Sequence, residues 1–255
     1  MTDVARVRVF DSQSVAYHEA FQVFLAHTDQ KLNARHWLDG LVQGLATRRL
    51  FIDAGAGNGQ VTAWFLDQFE RTIAIEPSPS LSSELRQTCP RAEVLAVPIL
   101  DARLAALGDL VLCSHVLYYI DRGAWLAHLD RMASWLAPGG ALVVVLQNHE
   151  TDCMRMLEHF HGQSFSLAAL AGDFENLHGC QYHVQRELVP AHVTAPDLAT
   201  AYVIAEFMLN LLPLPNPPAK ETVEVYISDH FRDRGRGFRF SCHQEFLTVR
   251  PRRQA

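Results

Sequence analysis

The sequence lacks the features of a secreted or membrane-spanning protein. Its five cysteines, at positions 89, 113, 153, 180 and 242, are odd in number and include no C-x-x-C pair. That pattern argues against a disulfide framework or a structural zinc site and favours reduced thiols. No apolar run approaches the length that spans a bilayer, and the N-terminus has no hydrophobic region typical of a signal peptide. We therefore expect a cytoplasmic protein with no membrane partner.

Positive charge is also scarce. The 255 residues include 22 Lys and Arg against 28 Asp and Glu, which gives a net charge of −6 and no general affinity for nucleic acid. The arginine runs at 232–239 and 250–253 are most simply solvated ends. The histidines show no metal-ligand spacing, so no metal site is predicted. There is no internal repeat or low-complexity tract, and 49% hydrophobic residues are enough for a substantial core.

What the sequence does have is a glycine-rich loop between two apolar segments. A short predicted strand at 50–52 reaches Asp53, glycines follow at positions 55, 57 and 59, and 61–69 is predicted to be a helix. A strand, glycine loop and helix bring backbone close to a nucleotide-like ligand at the carboxyl edge of a parallel sheet. Glycine suits such a loop because a Cβ would block positive φ angles and close approach.

A carboxylate follows the second predicted strand, 71–75. Glu76 comes about 20 residues after the loop and could accept hydrogen bonds from both hydroxyls of a ribose. An NAD fingerprint needs a third glycine where this chain has Gln60, so an NAD-linked oxidoreductase is disfavoured. The pattern Asp53-Ala-Gly55-Ala-Gly57-Asn-Gly59 instead resembles motif I of the class I S-adenosylmethionine-dependent methyltransferases, and Glu76 resembles their ribose-binding acid.

Strands and helices alternate from residue 50 to residue 146, which favours a parallel sheet with helices on both faces. We predict an α/β, Rossmann-like class I methyltransferase fold with an N-terminal helical cap and a C-terminal insert. The segments are 1–47 for the cap, 48–147 for the cofactor-binding core and 148–255 for the remaining strands and the insert, in one compact domain. Further predicted strands are 94–97, 109–114, 141–146, 182–189 and 237–249. Predicted helices include two before residue 47, then 125–136 (ended by Ala-Pro-Gly-Gly), 153–160, one from 166, and 197–212.

The predicted cofactor is S-adenosylmethionine, with S-adenosylhomocysteine as product. Asp101 follows the third predicted strand and either accepts from the adenine amino group or caps a helix over 102–107. The full set of predicted cofactor contacts is Asp53, Gly55, Gly57, Gly59, Glu76, Ser78, Asp101 and Ser114.

A narrower resemblance covers nearly the whole chain, in short motifs. The chain resembles the histamine N-methyltransferase family at Tyr17-x-x-x-Phe21-x-x-Phe24-Leu25-x-His27, Glu76-Pro77-Ser78, Leu117-Tyr118-Tyr119 and the terminal strand at 240–246. The resemblance implies a monomer that methylates a nitrogen of a small acceptor. It also implies that the acceptor lies between the N-terminal helices, the fourth-strand loop and the C-terminal insert.

The acceptor side departs from that family. Its ammonium-binding glutamate falls on Gln30, its glutamine after the fourth strand on His115, and its asparagine on the last strand on Cys242. A small molecule other than histamine is therefore the expected partner. The predicted acceptor contacts are Tyr17, Phe21, Gln30, His115, Tyr118, Tyr119 and Cys242.

His115 is the predicted catalytic residue, because histidine is suited to removing a proton from an acceptor; the alternative is that it only hydrogen-bonds cofactor or acceptor. Two other functions stay open at this point. The chain could methylate oxygen or an electron-rich ring carbon of a small aromatic metabolite, or it could bind S-adenosylmethionine without catalysis. Nucleic acid or protein as acceptor is disfavoured by the acidic balance.

Overall fold

The structure is a computed structural model that describes residues 5–11, 14–233, 235 and 237–252. Arg234, Arg236 and Arg253 of the two arginine runs lie outside these residues. The chain divides into two compact units. The first comprises Met1–Ala34, Gln147–Ser166 and Leu188–Gln244, and the second comprises Arg35–Leu146, Leu167–Glu187 and Glu245–Ala255. None of the helices in the described ranges is both long and apolar enough to cross a membrane.

A seven-stranded sheet dominates the second unit, with strand order β3-β2-β1-β4-β5-β9-β6. Neighbouring strands from β1 to β5 run parallel, which confirms the predicted parallel sheet. The strands are β1 Leu50–Ala54, β2 Arg71–Ile75, β3 Glu93–Leu95, β4 Gly108–Ser114, β5 Leu136–Gln147, β6 Tyr182–Val189 and β9 Gln244–Pro251.

The central strands are the most apolar because they are covered on both faces. Every residue of β1 is buried, as are the residues of β4 up to Cys113. Strand order reverses beside β1, which pairs with β2 on one side and β4 on the other. In open α/β sheets, ligands bind at such a switch point, outside the carboxyl ends of the strands. The loops after β1 and β4 therefore mark the edge where a site is expected.

The helices divide between the units. The second unit contains α3 Pro79–Thr88, α4 Trp125–Ala133 and α6 Leu167–His178. Helix α2, Gln30–Gln43, begins in the first unit and belongs to the second from Arg35 onward. The first unit contains α1 Val15–Ala26, α5 Asp152–His161, α7 Leu198–Leu209 and α8 Lys220–His230. It also contains an antiparallel strand pair, β7 His192–Ala195 and β8 Phe238–Ser241. The sequence predicts no element at α3, α8 or β7.

Two contacts organise the first unit. The Phe207 ring of α7 packs against the rings of Tyr17, Phe21 and Phe24 on α1, with centroid distances of 5.4, 5.3 and 5.4 Å. The buried carboxylate of Glu206 accepts hydrogen bonds from the Arg8 backbone N–H at 2.8 Å and from its guanidinium at 3.0 and 2.6 Å. The segment before α1 is thereby fixed to α7.

The predicted helix at 61–69 is wrong. The segment forms a 3-10 helix over Thr62–Trp64 and then turns, with Phe65 N–H bonded to the Thr62 carbonyl at 3.2 Å. Aromatic and β-branched residues are weak helix formers. Here tertiary packing also competes, because the Phe65 and Phe69 rings lie 5.5 and 5.6 Å from that of Phe51.

The helix predicted at 125–136 ends earlier, at Ala133, and Leu136 already pairs with Gly108 in the sheet. The Pro-Gly-Gly sequence that predicts a helix stop lies inside β5. It forms an irregularity in the strand, because the next paired residues after Gly108 and Leu136 are Leu110 and Ala141. A Cβ on Gly140 would lie 2.7 Å from the Gly108 carbonyl oxygen. Glycine is needed there for close approach between strands.

The single strand predicted at 237–249 is two strands in two sheets, β8 and β9. The chain turns at Cys242, whose backbone N–H donates to the Ala191 carbonyl at 2.9 Å and whose carbonyl accepts from Gln30 Nε2 at 2.9 Å. Because the backbone groups of Cys242 make these bonds, Cys242 does not pair in either sheet, and the extended segment is interrupted between β8 and β9.

Candidate cofactor-binding site

The glycine loop after β1 requires glycine for its backbone shape. Gly55, Gly57 and Gly59 have φ angles of 86°, 56° and 86°, a region that other residues avoid. The N–H groups of Gly55 and Ala56 both donate to the Ile75 carbonyl, at 2.8 and 3.0 Å. The loop is therefore fixed against the end of β2, and a Cβ on Gly55 would overlap the side chain of Val116.

Gly57 differs from its neighbours because a Cβ there would meet no heavy atom within 4 Å, whereas at Gly59 it would lie 2.8 Å from Leu85 Cδ1. Space therefore adjoins the loop backbone at Gly57. The Gly57 N–H donates to Glu76 Oε2 at 2.9 Å, so the open position lies beside a carboxylate. A bound nucleoside could come this close to the backbone only where no side chain intervenes.

Glu76 is held in one orientation at the end of β2. Its Oε2 accepts from Gly57 and its Oε1 accepts from the Ser78 N–H at 2.8 Å, while only 7% of the residue is exposed. An ionised carboxylate has about four acceptor positions, so each oxygen retains one for a further donor. Two hydroxyls of a ribose match this arrangement, and these residues fit an adenosine-containing cofactor.

Asp53 lies beneath the loop, with 2% of the residue exposed, and its Oδ2 accepts from the Thr62 hydroxyl at 2.6 Å. Burial raises the pKa of the Asp53 carboxyl to about 7; the Thr62 hydrogen bond opposes the rise and the nearby Glu76 charge adds to it. Asp53 thus changes protonation near neutral pH and connects β1 to the segment after the loop.

The remaining predicted cofactor residues follow neighbouring strands. Ser78 is the N-cap of α3, and Ser114 is the last residue of β4 and is half-buried. Asp101 is exposed in a 3-10 helix over Ile99–Asp101, and residues 102–107 form no helix. The alternative interpretation of Asp101 as a cap for such a helix is therefore wrong. Because β1 to β4 run parallel, these residues reach the same edge of the sheet.

His115 follows β4 in a left-handed conformation, with φ of 59°, as no other non-glycine residue does in the described part of the chain. Its N–H donates to the Val145 carbonyl at 2.9 Å, and its ring stacks on Tyr118 at a centroid distance of 6.0 Å. Left-handed backbone at a bulky residue costs about 1–2 kcal/mol. Such strain is concentrated at functional sites.

The two tyrosines after His115 have different surroundings. Tyr118 is 7% exposed and Tyr119 is 64% exposed. Their 3-10 turn is fixed by Trp125, whose Nε1 donates to the carbonyls of Leu117 and Ile120 at 3.1 and 3.0 Å. Tyr118 therefore supports the His115 ring, while Tyr119 is open to solvent.

The other predicted acceptor residues lie in the first unit. Gln30 and Cys242 are brought together, and both are buried. Burial raises the pKa of the Cys242 thiol to about 12, and a hydrogen bond with Thr28 opposes this rise, so the thiol stays protonated. Tyr17 and Phe21 pack on Phe207. Within this unit Gln30 is thus bonded to Cys242, and Tyr17 and Phe21 share one aromatic ring of α7.

The sequence reading missed two residues that shape the loop. Val116 fills the space in front of Gly55, and Thr62 bonds Asp53. A valine after a strand and a threonine in an apolar segment carry no local signal for these contacts. Within the described ranges, no group of three or more His, Cys, Asp or Glu residues could hold a metal ion.

Solved structures show the same fold. YcgJ from Bacillus subtilis has a TM-score of 0.60 at 12% identity, covering 86% of this chain and 99% of that one. A protein from Bacillus halodurans C-125, named as a methyltransferase candidate, has a TM-score of 0.58 at 14% identity, covering 84% and 97%. The N-methyltransferase NodS from Bradyrhizobium japonicum WM9 has a TM-score of 0.50 at 13% identity, covering 95% and 100%. Identities this low show the fold alone.

No curated protein matches the sequence significantly. A family model described as a methyltransferase domain, however, matches residues 25–213. The match includes the glycine loop, Glu76 and His115 and spans more than half of the chain. The chain therefore belongs to this methyltransferase domain family.

Proposed function

We propose that this S-adenosylmethionine-dependent methyltransferase acts on a small-molecule acceptor, at a nitrogen of an amine or aromatic heterocycle, and that the acceptor is not histamine. The observation that carries the cofactor assignment is the pairing of open backbone at Gly57 with the fixed carboxylate of Glu76. Bound S-adenosylmethionine supplies an electrophilic methyl group on a sulfonium.

The chain's own residues then have positioning roles. Glu76 binds the ribose hydroxyls, the Gly57 backbone allows close approach, and Ser78, Asp101 and Ser114 complete the cofactor contacts. Positioning of two reactants can lower the activation barrier by about 7–11 kcal/mol. A protein that holds cofactor and acceptor in line therefore needs little further chemistry when the acceptor nitrogen arrives neutral.

His115 is proposed to orient the acceptor and to accept its proton where one must leave. Its strained backbone fixes the imidazole at the carboxyl end of β4. Proton transfer by a positioned side chain contributes about 10²–10⁴-fold to rate. An acceptor that is already neutral would use His115 for orientation only.

The proposal that histamine is not the acceptor rests on the acceptor-side residues. A carboxylate could bind an ammonium, but position 30 is an amide whose Nε2 is bonded to the Cys242 carbonyl. Cys242 itself presents a buried, neutral thiol. Neither offers the negative charge that would favour a cationic amine.

The experiment is in two stages. Calorimetry with S-adenosylhomocysteine should show binding, and NAD should give none. Glu76→Ala should weaken S-adenosylhomocysteine binding by about 1.5–3 kcal/mol because charge-assisted hydrogen bonds are lost. Glu93→Ala, on the neighbouring strand with an exposed carboxylate, should leave it unchanged.

The second stage screens amines, imidazoles, indoles and phenols, with histamine included, using a methyl-labelled donor. Mass spectrometry of the product identifies the methylated atom. Methylation of an amine or heterocycle nitrogen supports the proposal, whereas transfer to a phenol oxygen or ring carbon contradicts the nitrogen assignment. Binding of NAD without S-adenosylhomocysteine would contradict the whole function.

A further inference from the structure

A groove of about 290 Å³ lies within the second unit, away from the glycine loop. One wall is formed by α2, whose lining residues are three and four positions apart and therefore lie on one face of the helix. The floor is the edge of the sheet, where residues of β6 and of β9 are two apart and so share one face. The lining residues are Trp37, Gly40, Leu41, Gln185, Glu187, Thr248 and Arg250.

The floor of the groove is polar where a helix normally covers an apolar sheet face. Phe246, Thr248 and Arg250 alternate along β9, and Trp37 packs on Phe246 with ring centroids 4.3 Å apart. Beyond Phe246 the face becomes polar, and at Gly40 a Cβ would meet nothing within 4 Å. The helix therefore leaves an open space over charged residues.

The two charged side chains of the groove differ in their surroundings. Glu187 accepts from Trp37 Nε1 at 3.0 Å and from Gln185 Nε2 at 3.2 Å, so two neutral donors orient its carboxylate. The guanidinium of Arg250, in contrast, has no hydrogen-bond or ion-pair partner among the residues that the structure describes. Both charged residues line the same groove, and no ion pair joins them among the described residues.

We propose that this groove is a second binding site, for a small zwitterion of the amino-acid type with an apolar substituent. Arg250 binds the carboxylate, since a guanidinium matches that group with two parallel hydrogen bonds. The free acceptor positions of Glu187 bind the ammonium. Trp37 and Leu41 contact the apolar part, and the volume lies just below the range for drug-sized ligands, about 300–1,000 Å³, which suits a smaller molecule.

The test is calorimetric titration of the full chain with L-phenylalanine and with its two halves, 3-phenylpropanoate and 2-phenylethylamine. The zwitterion should bind with a dissociation constant below about 10 mM, and each half at least tenfold more weakly. No heat with L-phenylalanine would overturn the proposal. Equal binding of 3-phenylpropanoate would reduce the groove to a simple anion site and also contradict it.

Variants assign the binding to this groove. Arg250→Gln and Glu187→Gln should each weaken L-phenylalanine binding at least tenfold, while Arg71→Gln, which removes the same charge from β2, should not. Circular dichroism checks that each variant is folded, and Glu187→Gln keeps the side-chain shape. Unchanged affinity in both groove variants would place the ligand elsewhere and overturn the proposal.

Discussion

The left-handed backbone at His115 decides which substitution tests its role. Alanine would remove the imidazole but add strain at φ of 59°, whereas asparagine adopts this conformation readily. We expect His115→Asn to leave the S-adenosylhomocysteine dissociation constant within a few-fold. Its kcat should fall by about 10²–10⁴-fold if the imidazole accepts a proton. Calorimetry and steady-state kinetics with the acceptor from the screen measure the two effects.

A matched control is His36→Asn, at an exposed position of α2, which should change neither quantity. Unchanged turnover in His115→Asn would remove the imidazole from the mechanism. A large loss of cofactor affinity would instead mean that His115 acts mainly on the cofactor.

Asp53 should make stability depend on pH between about 4 and 7. In that window the folded chain keeps a proton on Asp53, because burial raises its pKa to about 7, while the unfolded chain releases it. Stability therefore falls as pH rises from about 4, by up to about 4 kcal/mol, and is level above about 7.

Asp53→Asn removes this dependence while keeping an oxygen for Thr62. Urea unfolding from pH 4.5 to 8 should show the variant gaining stability relative to the parent as pH rises. If the unfolding free energies of the two proteins change in parallel with pH, the pKa of Asp53 is the same in the folded and unfolded chain, which contradicts the prediction.

For single residues, the sequence is informative where the residue type alone determines the backbone conformation or the chemistry. Gly55 and Glu76 could be selected because glycine conformation and carboxylate chemistry are local properties. Thr62 and Val116 could not be selected in this way, because their roles depend on contacts made in the folded chain. Thr62 donates to Asp53, and Val116 fills the space in front of Gly55.

Among the elements, the start of β1 is joined to β4 by one buried carboxylate. Asp109 accepts from the Thr47 hydroxyl at 2.6 Å and from the backbone N–H groups of Arg49 and Leu50 at 2.7 and 3.1 Å. Burial alone would raise the pKa of Asp109, but these donors, with Thr47 first, lower it below its usual value.

Asp109→Ala should lower the free energy of unfolding by about 2–4 kcal/mol, since buried donors lose their acceptor. The contribution of Asp109 is present above its ordinary pKa and is lost as pH falls below it. The difference from the parent should therefore shrink in acid. Denaturant titration at neutral and acidic pH measures this, with exposed Asp101→Ala expected within about 0.5 kcal/mol of the parent. A neutral-pH loss under 1 kcal/mol would contradict the assignment.

Strand and helix positions were predictable where apolar patterns agree with the final packing. β1, β2, β4 and β5 each contain a short apolar run, 50–52, 73–75, 110–113 and 141–146. The failures at 61–69, at Leu136 and at Cys242 share a cause. In each, a partner distant in sequence wins over the local pattern: the Phe51 ring, the Gly108 backbone, and the Ala191 and Gln30 groups.

For the whole molecule, the charge of −6 should oppose binding to polyanions. A mixed-sequence RNA or DNA oligonucleotide should bind more weakly than about 10⁻⁴ M at physiological salt. Fluorescence anisotropy measures this, and a basic protein of similar size serves as the positive control. Micromolar binding that weakens with added salt would indicate a nucleic-acid acceptor and contradict the small-molecule proposal.

The division into two units was not visible in the sequence. The first unit gathers three separate stretches, up to residue 34, 147–166 and 188–244, and no composition change marks where the chain enters or leaves it. The three stretches are joined by contacts such as those of Phe207 with α1, between residues about 190 positions apart. Contacts at that separation produce no local periodicity in the sequence.

The Arg8–Glu206 contact has a practical consequence for anyone preparing this enzyme. A shortened clone that starts at residue 11, or proteolytic trimming to that point, would leave the carboxylate of Glu206 buried. Among the described residues, the Tyr202 hydroxyl would be its remaining side-chain donor. An uncompensated charge of that kind destabilises a fold by several kcal/mol. Affinity tags are therefore better fused through a spacer that preserves Arg8 than substituted for the leading residues.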